Sequence, residues 1–234
     1  ALRGATVVIT LGGDGTNRAF AKGWLDAPLI PLSTGTNNAF PVMREATTAG
    51  AAAGVLASGV VPVEAVAERA KAIHVEIEDE PGDIALIDAV LTKERFVGAR
   101  ALEDPAGFVA AMLTRADPAG VGMTSVGGFV HPLAAREDAA LRLEFEPGSS
   151  RQVHAALAPG RFERVGLGQV ATMPLGEPMP LTGPGVLALD GERERVLRPG
   201  QRATLTARRD GPWVIDVSRV LRHASGCGRQ PGPG

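Results

Sequence analysis

The sequence predicts an α/β part followed by a β-rich, sandwich-like part, and two observations carry that prediction. Over residues 1–59, short apolar runs alternate with helical patterns, which implies parallel strands joined by helices. From about Lys71 onward, short apolar or β-branched runs are separated by glycine, proline and charged turns, the spacing of a sandwich. The expected boundaries are 1–70 for the α/β part, 71–224 for the β-rich part and 225–234 for a flexible tail rich in glycine and proline.

The first strand is Thr6-Val7-Val8-Ile9-Thr10-Leu11, an apolar run with β-branched residues. It stops at Gly12-Gly13-Asp14-Gly15-Thr16-Asn17, and a helix is expected from about Asn17 to Leu25. Leu29–Leu32 reads as a second strand, with Pro31 arguing against a central position or for the strand's end. The loop Ser33–Asn38 is wholly small or polar. The alanine-rich stretch Glu45–Ser58, stopped by Gly59, reads as a helix. Both polar loops follow strands, so both should face the crevice at the carboxyl ends of a parallel sheet. In the second part, Ala72–Glu78 alternates, and Glu80-Pro81-Gly82-Asp83 is a turn. Ile84–Thr92 is apolar on both faces, as a central strand would be, and Pro105–Thr114 reads as a short helix. Strands are then expected at Val121–Val126, Ala140–Phe145, Val153–Leu157, Val165–Met173, Gly185–Leu189, Ala203–Ala207 and Trp213–Val217.

A chain of 234 residues can bury a sizeable core. Its net charge of −2 gives no reason to expect nucleic acid or an acidic membrane surface as a partner. No apolar run is long enough to span a bilayer. The single cysteine, Cys227, excludes an internal disulfide framework and a multi-cysteine metal site, and fits a reducing cytoplasm, the expected location. His74, His131, His154 and His223 have no metal-ligand spacing, so no metal site is expected from them.

Strand, glycine turn and helix start make up the local architecture of a phosphate site, because glycines admit a phosphate to the backbone and free N–H groups donate to it. The turn is not a Walker loop, which ends in Gly-Lys-Ser/Thr, and the dinucleotide fingerprint breaks at Arg18. What sets it apart is Asp14, a carboxylate where phosphates would sit. Such a group can take the proton of a hydroxyl attacking a phosphoryl group, or orient a magnesium-bound water. Its bland alternative is a carboxylate that braces the turn through backbone N–H groups. Thr16 and Asn17 read equally as helix caps, and Asn37 or Asn38 as an Asx-turn. Asp190-Gly191-Glu192, judged by composition alone, is an exposed turn.

Gly12-Gly13-Asp14-Gly15-Thr16 resembles the GGDGT signature of the NAD kinase/diacylglycerol kinase superfamily. The loop Pro31–Phe40 is similar to that superfamily's next nucleotide-contacting loop. The segments near Asp104-Pro105, Thr114–Pro118 and Leu189–Glu192 make the chain look most like the ATP-NAD kinase/AcoX (acetoin-catabolism protein X) branch. The resemblance implies an NAD kinase-like α/β nucleotide-binding domain that is incomplete here, since relatives carry further α/β structure upstream of the motif. It implies a kinase using ATP and Mg2+, with NAD as a candidate acceptor through its 2′-hydroxyl. By the same resemblance Asp14 and Glu192 are the catalytic candidates. Gly12, Gly13, Gly15, Thr16, Asn17, Thr36, Asn37 and Asn38 would hold the nucleotide, and Asp88, Ser125 and Asp190 the substrate. The register of the second loop leaves Asn37 and Asn38 both open.

Three departures from the NAD kinase pattern keep other readings alive. Glu192 stands where NAD kinases usually have Gln and lipid kinases Glu. Asp88 stands alone where NAD kinases have Asn-Glu, and Thr124-Ser125 replaces their Thr-Gly-Ser-Thr run. The alternatives are a lipid or sphingoid kinase and a nucleotide-binding regulator without turnover. A sheet lacking strands would also leave an edge for a second copy of the chain, so a homo-oligomer is among the assemblies open to it.

Overall fold

The computed structural model describes residues 4–93 and 104–227. The α/β part is built from β1 (Val8–Leu11), α1 (Asp14–Gly23), β2 (Pro28–Leu32), α2 (Ala46–Ala57) and β3 (Ala67–Arg69). The β-rich part then runs through β4 (Ala72–Ile77), β5 (Glu80–Ala85), β6 (Asp88–Thr92), β7 (Phe108–Leu113), α3 (Met123–Val130), β8 (Ala139–Phe145), β9 (Gln152–Ala158) and β10 (Arg161–Pro174). It ends with β11 (Pro178–Thr182), β12 (Gly185–Leu189), β13 (Glu192–Leu197) and β14 (Arg202–Arg208). The chain does not stay there until residue 224, as expected. It returns as β15 (Trp213–Ile215) and α4 (Val217–Cys227) to complete the first unit.

The first sheet has the order β1-β2-β15-β3, with β1, β2 and β15 parallel and β3 antiparallel to β15. Pro31 therefore lies in a central strand. It is tolerated because β15 pairs only with Pro28 and Leu29, so Pro31 owes no N–H to that neighbour. α2 and α4 cover one face through Ile30, Leu56, Ile215 and Val220. α1 covers the other through Ala21 and Leu29, which also meet Leu86 and Ile87 of the β-rich part. β1 is an edge strand, and its Ile9 and Leu11 are exposed.

The β-rich part stacks a seven-stranded sheet, β13-β12-β6-β7-β8-β10-β9, on a four-stranded one, β11-β14-β4-β5. The core between them includes Ile73, Val75, Leu91, Met112, Leu187 and Leu205. The far face of the large sheet is covered by α3, through Val126 against Val90, Leu113 and Leu141. β6 and β12 are thus buried on both faces, which explains the apolar runs Ala89–Leu91 and Val186–Leu189 within them.

Four expected elements differ. Glu80-Pro81-Gly82-Asp83 is not a turn but the start of β5, and the reversal is made just before it at Glu78 and Asp79, with Asp79 at φ 60°. Phe108–Leu113 is a strand, not a helix, because it pairs with β6 and β8 at once. Val121–Val126 is not a strand: Gly122, at φ 77°, caps a helix beginning at Met123. Ile84–Thr92 is not continuous but breaks at Leu86 and Ile87. Most of the expected tail, 228–234, lies outside the described residues, while α4 continues through the first part of it. Among the described residues no helix is long and apolar enough to cross a membrane.

Candidate functional site

Asp14 is the first residue of α1, whose N-cap is Gly13. No side chain caps this helix, so no cap answers the N–H groups of its first turn. The Asp14 carboxylate reaches across to the second loop. It accepts from the N–H of Ala39 at 3.1 and 3.0 Å and from that of Phe40 at 2.7 Å. Burial raises its pKa above the ordinary carboxylate value, against the pull of those N–H groups and of Arg115.

The second loop is held from within. Asn38 donates to Ser33 Oγ at 2.7 Å and to the Gly35 carbonyl at 3.3 Å. A Cβ at Gly13 would lie 2.6 Å from Asn38 Oδ1, so glycine is what lets the two loops touch. Arg115 steadies the far side. Its Nη1 donates to the Ala39 carbonyl at 2.8 Å, and its guanidinium lies 5.5 Å from the Phe40 ring centroid. Its Nε is sealed from solvent and has no partner among the described residues.

Asp190 and Asp88 come from the β-rich part. Asp190-Gly191 is a two-residue hairpin between Leu189 and Glu192, with φ of 51° and 82°. Asp-Gly suits such a turn because both positions need positive φ. The turn is not simply exposed: Asp190 is buried, and its carboxylate accepts from the N–H groups of Leu86, Ile87 and Asp88 at 2.8, 2.7 and 3.2 Å. It fills the break between β5 and β6. Burial pushes its pKa up to about 6. Asp88 is buried beside it, and one of its carboxylate oxygens has no partner among the described residues. Its pKa is driven well above the usual range by burial, then by the charges of Asp190 and Asp14.

These groups border a cavity of about 780 Å3 between the two parts of the chain. Asp14, Thr36, Asn37, Asn38, Asp88 and Asp190 line it, so the structure brings together six of the residues expected from sequence. Its far wall is the segment Pro132–Ala135 with Glu137. The buried Lys71 pins that wall by donating to the carbonyls of Ala134, Glu137 and Ala139.

The other expected residues stand elsewhere. Asn17 is fully buried, donating to the Gly13 carbonyl and accepting from Thr10, so its side chain is committed to the turn. Ser125 is wholly buried in α3 and does not line the cavity; its neighbour Thr124 does. Gly12 is buried in the glycine turn, Gly13 and Gly15 are half-buried and Thr16 is exposed, and none of the four lines the cavity. A Cβ at Gly15 would lie 2.6 Å from Glu192 Oε1, so Glu192 sits against the start of α1, outside the cavity. Arg115 and Thr124 were not among the expected site residues, although Thr124 stands beside the expected Ser125 in the sequence. The available signal for Arg115 was its place just after the apolar run of β7, on the edge where Asp88 begins β6.

Residues 1–60 match the ATP-NAD kinase N-terminal domain family, and residues 71–210 match the acetoin catabolism protein X C-terminal domain family. The chain is 38% identical over 228 residues to acetoin catabolism protein X of Cupriavidus necator. That alignment covers 94% of this chain and 64% of the relative, so the chain spans 64% of the length of the curated protein it matches. The backbone is similar to yeast NADH kinase complexed with NADH, with a TM-score of 0.58 at 14% identity, over 98% of this chain and 67% of that one. Similarity at that identity shows the fold alone. With more than half of its residues matching that family's C-terminal domain, the chain belongs to the acetoin catabolism protein X family, on a fold like that of the NAD kinases.

Proposed function

We propose that the protein is a small-molecule kinase that moves the γ-phosphoryl group of ATP onto a hydroxyl, with the ribose 2′-hydroxyl of NAD as the first acceptor to test. Asp14 carries this reading, as the first residue of an uncapped helix and part of the cavity wall. The N–H groups of that helix start, those of Gly13, Gly15 and Thr16 among them, would receive phosphate oxygens, while the Gly12 N–H is already given to the Leu32 carbonyl at 3.0 Å. Thr36, Asn37 and Asn38 would grip the nucleotide from the facing loop. The acceptor would lie toward Asp88 and Asp190. As its oxygen bonds to the γ-phosphorus, the bond to the β–γ bridging oxygen breaks and ADP leaves. The acceptor proton passes to Asp14, whose Oδ2 accepts only one backbone N–H and keeps room for it. Burial makes that carboxylate a stronger base than a free one.

Magnesium enters as the partner of the nucleotide rather than as a resident ion. Among the described residues no three His, Cys, Asp or Glu side chains are placed to hold a metal, and the Asp14 and Asp190 carboxylates are already engaged by backbone N–H groups. The test is NADP formation from NAD, ATP and magnesium by the intact protein, beside its Asp14→Asn variant. The expected loss of turnover is about 10²- to 10⁴-fold. Full turnover by that variant would sink the assignment of the base.

Glu192 favours a second reading. Its carboxylate rests against Gly15, beside the proposed phosphate site. In a lipid or sphingoid kinase it would share the acceptor's proton. Phosphorylation of diacylglycerol or sphingosine, with NAD left unchanged, would select that reading. Saturable ATP binding without transfer to either acceptor would select a nucleotide-binding regulator.

A further inference from the structure

A second cavity, of about 350 Å3, lies at the carboxyl ends of the parallel strands β2 and β15, where the chain enters α4. Its apolar wall is open at Val42, 58% exposed, and at half-buried Val214, over a floor of nearly fully buried Ile30, Leu32, Ile215 and Val217. Five arginines also line it: Arg44, Arg69, Arg115, Arg209 and Arg219. Only two carboxylates, Glu68 and Asp216, accompany them. The lining therefore carries a surplus of positive charge around a greasy floor.

Two of the five guanidiniums are committed to the fold. Arg209 bonds Asp138 and the carbonyls of Arg69, Ala135, Arg136 and Glu137. Arg69 bonds the Asp210 carbonyl and lies 5.1 Å from the Trp213 ring centroid. The other three have capacity left. Arg44 spends only Nη1, on Ser218 Oγ at 2.9 Å. Arg219 has no side-chain partner among the described residues. Arg115 is half-buried and spends only Nη1, on the Ala39 carbonyl, among the described residues; its open capacity is at Nη2, since its Nε is sealed from solvent. One of the two carboxylates is also engaged, since Asp216 caps α4 by accepting from the Arg219 backbone N–H at 3.0 Å.

We propose that this cavity binds a small organic oxyanion, a carboxylate or phosphate monoester carried on an apolar body. Arg44, Arg115 and Arg219 grip the head, because guanidinium forks match the oxygens of both groups. The apolar wall takes the body. The two cavities share Arg115 and Ala135. Arg115 also holds the carbonyl of Ala39, the residue whose N–H bonds Asp14. An anion drawing on Arg115 would therefore be felt at Asp14.

The experiment is calorimetric titration of the intact protein with hexyl phosphate, hexanoate, hexanol and inorganic phosphate. One amphiphilic anion, hexyl phosphate or hexanoate, should bind saturably, and which one does so separates the two kinds of head. Hexanol and inorganic phosphate should bind about tenfold more weakly or worse, lacking head or body. An Arg44→Ala/Arg219→Ala double variant, changed at two exposed side chains and checked for folding by circular dichroism, should weaken the anion about tenfold or more. Asp88→Asn, in the first cavity, should leave its affinity unchanged. The proposal is overturned if neither anion binds saturably, if the double variant binds as the parent does, or if Asp88→Asn alone abolishes binding. None of these outcomes bears on the kinase assay, which reads the first cavity.

Discussion

Asp88 is a buried carboxylate facing two other acids, with one oxygen that has no partner among the described residues. Its charge costs stability in the folded chain, so the neutral isostere should help. Asp88→Asn is expected to stabilise the fold by about 1–3 kcal/mol at pH 8. Near pH 3, where the carboxyl is neutral in folded and unfolded chains alike, the gain should vanish. Urea unfolding at both pH values checks this. Asp190 acts in the same sense. Its folded pKa, about 6, is raised from 3.8 by burial, so the folded chain holds the proton more tightly than the unfolded one. That contribution, on the order of 3 kcal/mol, is full below about pH 4 and lost as the pH rises through 6. Asp14 was legible as a cavity residue because it follows a strand end in a glycine turn, and Asn38 because it ends a wholly small or polar loop after a strand, whereas Asp88, inside the apolar run Ile84–Thr92, was expected there only through the family resemblance. Arg115 was not legible, because a lone arginine after Thr114 has no face until β7 pairs with β6.

Local signals were least reliable where pairing or close approach overrides propensity. Phe108-Val109-Ala110-Ala111-Met112-Leu113 has the composition of a helix, but β6 and β8 claim its backbone on both sides. Met123–Val130 has two glycines and reads poorly as a helix, but glycine is what allows its position. A Cβ on Gly128 would fall 2.2 Å from the Asp117 carbonyl carbon and the Pro118 nitrogen. Gly128→Ala should therefore cost about 3 kcal/mol, read by thermal unfolding, because backbone rather than a flexible side chain must move. The β12–β13 hairpin offers a second test. Asp190→Ala leaves three buried N–H groups unanswered and puts a methyl side chain at positive φ, with an expected loss of about 3 kcal/mol or more. Asp190→Asn should lose clearly less, since asparagine tolerates that backbone and keeps one acceptor.

At the scale of the whole molecule, the two parts are held in register by a buried ion pair. Arg18 of α1 bonds Asp83 of β5 at 2.8 Å and the Ile84 carbonyl at 2.6 Å, with both charged side chains only 3% exposed. Asp83→Ala removes the carboxylate shared by Arg18, Lys22 and Arg195 and should cost about 3–5 kcal/mol in chemical denaturation. If the pair only decorates the junction, the loss would stay below about 1 kcal/mol. The sequence by itself determined the order of parts, an α/β unit before a β-rich one, and the glycine turn with its carboxylate. Those features are written in local chemistry: the period of apolar residues, and glycine where backbone must come close. Only the tertiary structure decided that Trp213–Cys227 returns to the first sheet, that Asp190 fills the break between β5 and β6, and that Arg115 stands between two cavities. Each of these joins residues far apart in the chain, and burial and charge act on such pairs only after the sheets have brought them together.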